Sequence, residues 1–237
     1  MYKNIYKVSA LSAAALFTLS VASAQNITIN NPTFAVGPTG TLTPNGPTGW
    51  TGYHVGTGGN WDIGVGVANG GDFTTPLTAP GSGDNYLWLN DFNGNGTQVT
   101  GVYQNVGALA ADTTYSLTVA IGLRGDAAPN NQATWSPGII TLINGNDNTG
   151  TVLDTVTGLP TTPNSWQDYT ASFTTGATVS GDLIVELSVL DAQSIQADFS
   201  NVELTATAVP EPGTLALLGG GLALLPVVLR RKQASAK

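Results

Sequence analysis

His54 is the only histidine in this chain, and cysteine is absent. Any Ser-His-Asp relay would have to run through His54, which sits in WTGYHVG, and no G-x-S-x-G elbow occurs anywhere. Zinc needs clustered His or Cys ligands, which are missing. A glycosidase needs two carboxyl groups at a set separation. Between residues 25 and 208 the only glutamates are Glu186 and Glu203, and no pair stands out among the aspartates. The expectation on these grounds is a protein that is not an enzyme.

Two other chemistries are better represented. DFNGNG places Asp91, Asn93, Asn95 and Gly96 at the D-x-N-x-N-G spacing that opens a calcium loop. The twelfth position, where a bidentate glutamate belongs, is Val102, and a Gly/Asn-rich hairpin turn is the preferred account of the same letters. The second chemistry is stacking. In YLWLN, Leu87 and Leu89 alternate with Tyr86, Trp88 and Asn90. If the leucines face a core, two rings and an amide stand together outside, where a sugar could stack and bond its hydroxyls. Trp135, in NNQATWSPG, and Arg124 complete the candidate contacts, although pairing of Arg124 with Asp126 or another carboxylate is the preferred account of that residue. Trp50, Trp61 and Trp166 are assigned to the core.

Strands must position these residues. YSLTVAIGL puts Tyr115, Leu117, Val119, Ile121 and Leu123 on one face, and LIVELSVL alternates in the same way from Leu183 to Leu190. Shorter strand-like runs, among them Trp50–Val55, Asn60–Val67, Tyr86–Asn90 and Asp198–Thr205, are separated by Gly, Pro, Asn and Asp clusters. The pattern predicts an all-β fold, an antiparallel β-sandwich of jelly-roll type, with no helix before residue 213.

The two ends read differently. Lys3 and Lys7, the apolar run Ala10–Val21 and Ala22-Ser23-Ala24 form a signal peptide over residues 1–24, cleaved after Ala24. Residues 213–229 carry no charge, and Arg230, Arg231 and Lys232 follow at once. As a helix this run spans roughly 25 Å, enough for a single transmembrane segment with snorkelling ends, leaving the basic tail 230–237 in the cytoplasm. Pro210 and Pro212 keep the approach extended. The domain between, residues 25–208, holds one basic residue, Arg124, against fourteen acidic ones, a balance of −13. Such a surface excludes nucleic acid as a partner.

Val209, Pro210, Glu211 and Pro212, the apolar run and Arg230–Lys232 together resemble the PEP-CTERM sorting signal of Gram-negative bacteria, which would occupy residues 209–237. The resemblance implies passage through the general secretion machinery and the inner membrane, transient anchoring by the C-terminal helix, recognition by an exosortase, and delivery to the cell surface or extracellular matrix. Between the ends, NPTF, PTGW, GDNYLWLN, VYQNVG, TTYSLTVAIGLR, WQDYTASFT and DFSNVEL follow in the order seen in galactose-binding-like, carbohydrate-binding-module jelly rolls. That resemblance implies a structural calcium as the one cofactor, with Asp198 matching the usual aspartate, although Ala35 replaces the acidic residue that normally follows NxxF. The expected function is non-catalytic association with exopolysaccharide. A self-associating coat or matrix protein is the alternative, and a polysaccharide-active hydrolase the third reading.

Overall fold

A computed structural model describes residues 22–57, 60–67, 85–92, 98–124, 136–190 and 195–210. The expected signal sequence up to residue 21 and the apolar run with its basic tail lie outside these residues. The strands are β1 (Ala24–Ile27), β2 (Gly40–Thr41), β3 (Thr51–Val55), β4 (Asn60–Val67), β5 (Asn85–Phe92), β6 (Val99–Ala108), β7 (Thr113–Leu123), β8 (Gly138–Gly145), β9 (Thr151–Gly158), β10 (Ser165–Thr174), β11 (Asp182–Leu190) and β12 (Ile195–Ala208). The described residues contain no helix, as the alternation predicts. Two antiparallel sheets result. One runs β10-β7-β12-β5-β4-β2, with β1 also paired to β12, and the other runs β3-β6-β11-β8-β9.

One core lies between the sheets. Leu117, Val119 and Ile121 of β7, Leu87 and Leu89 of β5 and Phe199 of β12 meet Val185, Leu187 and Val189 of β11, all fully buried. Each such side chain contributes about 1.5–3 kcal/mol of transfer free energy. Trp50 is 6% exposed and packs on Phe34 at 5.7 Å, and Trp61 lies partly buried against the core. Both follow the sequence expectation.

Strand β12 is where simple alternation breaks. Ala197 and Phe199 point into the core, so Gln196, Asp198 and Ser200 point out. Ser200 stands opposite Ala120 but Glu203 stands opposite Thr118, so Asn201 and Val202 together face one residue of β7. That is a β-bulge, and Asn201 turns it with φ at 50°. The extra residue flips the parity of the strand: Val202 and Leu204 now enter the core, while Asp198 and Ser200 keep the opposite face.

The outer face of the five-stranded sheet buries a carboxyl. Glu186 on β11 lies between Tyr103 of β6 and Thr141 of β8 and is 8% exposed. Burial pushes it up to about 7, against hydrogen bonds from Tyr53 and Ser188 that pull it down. Tyr53 is itself raised, by burial first and by the neighbouring Glu186 charge second. The folded chain holds the Glu186 proton more tightly than an unfolded glutamate near 4.5, so this group's contribution falls as pH rises from about 4.5 to about 7. Glu186→Gln should therefore stabilise the protein at pH 8, by up to about 3 kcal/mol, and much less at pH 5. Thermal unfolding of both proteins at the two pH values checks this. A midpoint difference that does not grow with pH would reject the assignment.

Candidate functional site

Leu87 and Leu89 enter the core, so β5 presents Tyr86, Trp88 and Asn90 on the outer face of the seven-stranded sheet, as its alternation predicts. One row of residues crosses that face. Trp166 stands opposite Gly122, Gly122 opposite Asp198, Asp198 opposite Trp88, and Trp88 opposite Gly64. Glycines seat the rings. A Cβ at Gly64 would collide with the Trp88 ring, one at Gly66 with Tyr86, and one at Gly122 with Trp166. The Tyr86 and Trp166 rings meet edge-on at 6.3 Å, although β5 and β10 are three strand steps, roughly 14 Å, apart. The side chains must lean toward each other across β7 and β12. Beneath this cluster Asp198 and Ser200 are fully buried, and the buried indole N–H of Trp166 has no acceptor.

A polar row runs alongside. Gln196 stands opposite Asn90, and Asn90 opposite Asp62. Gln196 Nε2 donates to Asp198 Oδ1 at 2.6 Å, and Asp62 Oδ1 accepts from Thr43 Oγ1 at 3.3 Å. Tyr86, Trp88, Asn90, Arg124 and Gln196 line a cavity of about 180 Å³. Four of the five expected ligand contacts thus come together. The fifth, Trp135, lies outside the described residues. A larger cavity of about 260 Å³ adjoins the bulge, but Asn26, Ile27, Ile29, Pro32, Val202, Glu203 and Leu204 give it no aromatic wall. The smaller cavity offers ring faces that attract positive charge and a carboxyl one residue away that can exchange a proton.

Trp166 does not plug the core as expected. Its strand pairs so that Tyr169, Ala171 and Phe173 pack inward, which leaves Trp166 on the face with Asp198. Gln196 and the seating glycines had no sequence signal of their own: Gln196 lies across from Asn90 and the glycines across from aromatic residues in a register that only pairing defines.

The two candidate calcium places, the loop that Asp91 opens and the position of Asp198, differ in their surroundings. Asp91 is fully buried on the core side of β5, where Thr100 Oγ1 donates to its Oδ2 at 2.9 Å and His54 Nδ1 lies 3.5 Å from the same oxygen. His54 stacks on Trp61 at 4.8 Å with planes 3° apart, so the single histidine sits inside the sandwich and not at the cavity. Asp198 occupies the opposite face of the same sheet, and Asn93 and Asn95 lie outside the described residues. Among the described residues no three His, Asp or Glu side chains gather as metal ligands. Of the sorting residues, Val209 is tied by its N–H to the carbonyl of Asp112 at 2.6 Å and Pro210 follows it; Glu211, Pro212, Arg230, Arg231 and Lys232 lie outside.

Comparison with known proteins corrects the functional expectation. The PEP-CTERM protein-sorting motif matches residues 208–232, which marks the chain for export and sorting to the cell envelope. No curated protein matches the chain. A cyclase from Fischerella sp. TAU matches at TM-score 0.63 and 26% identity, over 80% of this chain and 100% of that one. The Stig cyclase Fisc from the same source, in complex with (3Z)-3-(1-methyl-2-pyrrolidinylidene)-3H-indole, matches at TM-score 0.64 and 24% identity, over 79% and 100%. A CBM4 structure matches at TM-score 0.43 and 15% identity, over 76% and 99%, too distant to carry a functional argument. The HpiC1-like model, described as HpiC1 cyclase, covers residues 25–205. The expectations of non-catalytic association with exopolysaccharide, of a coat protein, of a hydrolase and of a chain that is not an enzyme all fall against that match. With 25–205 of its 237 residues matched, the chain belongs to the HpiC1-like cyclase family.

Proposed function

We propose that the cavity on the outer face of the seven-stranded sheet is the active site of a cyclase that closes a ring in an aromatic, apolar substrate by proton transfer. The observation that carries this reading is Asp198: a fully buried carboxyl, held by Gln196 and set in one row with two indoles. A carboxyl set among ring faces and walled off from bulk water can hand a proton to a substrate and take one back. The Asp198 proton goes to a carbon of a substrate double bond, whose electron pair forms the new C–H bond and leaves a cation. A second π bond of the same molecule attacks that cation and closes the ring. Loss of a proton, returned to Asp198, restores neutrality, so product and substrate contain the same atoms. Trp88, Tyr86 and Trp166 offer ring faces to the positive charge, a contact worth about 2 kcal/mol when desolvated. They also shield the cation from water, which would otherwise trap it as an alcohol. The Fischerella cyclase structures, one of them in complex with 4-(1H-indol-3-yl)butan-2-one, support the choice of an indole-bearing substrate. The sorting tail supports an exported enzyme, with the tail recognised and removed by an exosortase.

Titration with 4-(1H-indol-3-yl)butan-2-one, followed by tryptophan fluorescence or calorimetry, should show binding that Trp88→Ala weakens about tenfold or more. Unchanged affinity in that variant would place the ligand elsewhere. In a second experiment, indoles carrying an unsaturated side chain are incubated with the protein in D2O. Cyclised product should carry one deuterium at the protonated carbon, and Asp198→Asn should slow its formation by about 10²- to 10⁴-fold with unchanged thermal stability. A fully active, folded Asp198→Asn enzyme would remove Asp198 from the chemistry.

A further inference from the structure

Asn90 is 7% exposed, lines the cavity, and holds a buried Oδ1 that receives no hydrogen bond. Its cross-strand neighbours do not supply one. On one side the Gln196 amide donates to Asp198, on the other Asp62 is an acceptor already bonded to Thr43, and neither bonds Asn90 Oδ1. Strand pairing fixes the backbone of Asn90 between β4 and β12, so the amide stays against the cavity. A buried acceptor left unmade is costly enough that few persist in folded proteins. In a cavity-lining position the remaining source of a donor is whatever fills the cavity.

Resting on the cavity being the substrate site, we propose that Asn90 is the specificity-determining residue of this enzyme and that Oδ1 accepts a hydrogen bond from an N–H group of the substrate. This deepens the choice of an indole-bearing substrate: the ring edge that meets Asn90 must carry an N–H. Placement supports the assignment. Asn90 stands two residues along β5 from Trp88, on the same face, so a ring lying on the Trp88 indole can direct its edge at the amide. A site built around such a bond discriminates more sharply than an apolar pocket can, because a substrate without the donor leaves the acceptor buried and unpaired.

The test compares 4-(1H-indol-3-yl)butan-2-one with its 1-benzofuran analogue, in which oxygen replaces the N–H without added bulk. The wild-type protein should bind the indole about tenfold more tightly than the benzofuran. Asn90→Leu, similar in volume and unable to accept, should bind both alike. Asn90→Asp, which keeps an acceptor at that position, should retain the preference, and this variant decides the matter if Asn90→Leu does not fold. Equal binding of the two probes by the wild type, a preference that survives in folded Asn90→Leu, or its loss in Asn90→Asp would each overturn the assignment while the cavity reading stands. If the wild type binds neither probe, the cavity reading falls and the role of Asn90 with it.

Discussion

Everything on the aromatic face depends on how β12 is held. Ile195–Phe199 pair with β5 on one edge while Asp198–Ser200 pair with β7 on the other, so the backbone around Asp198 is hydrogen-bonded from both sides. Asp198 is fully buried on that face, and a bulge at Asn201 and Val202 reverses the strand's parity further along. The same strand thereby delivers Phe199 and Leu204 to the core and keeps Asp198 on the functional face. Without the extra residue, either the C-terminal half of β12 or its N-terminal half would present polar groups to the core, at a cost of several kcal/mol.

The rings on that face are large and the sheet is crowded, so space comes from glycine. Gly64, Gly66 and Gly122 let Trp88, Tyr86 and Trp166 lie against the sheet backbone. Glycine weakens a strand through entropy and lost packing, and an aromatic neighbour that covers it recovers much of that loss. Stability and site geometry are therefore one arrangement. The rings that cover the glycines are those that enclose Asp198.

This arrangement also explains why a search for hydrolytic machinery misleads. Hydrolysis needs a placed water and, commonly, a paired acid and base or a metal. Ring closure within one substrate needs a single proton, a surface that tolerates positive charge, and the exclusion of water. In the proposed reaction one carboxyl and three aromatic rings meet that demand, without a relay through His54 or a pair of glutamates. The −13 balance of residues 25–208 agrees in sign with the transient cation of that proposal.

By itself the sequence determined the all-β class, the strand faces of β5, β7 and β11, and the sorting character of the tail. Each of these is written in local alternation or in adjacent residues, and needs no partner strand to be read. Tyr86, Trp88 and Asn90 could be placed together for that reason. Tertiary structure alone decided that Trp166 joins them, that Gln196 bonds Asp198, and that Asp91 and Asp198 lie on opposite faces of one sheet. Those facts depend on cross-strand register and on a two-for-one bulge, which are set by pairing between segments far apart in the chain. The candidate site lies in that long-range register, where the buried carboxyl of Asp198 meets the rings that β5 and β10 bring to it.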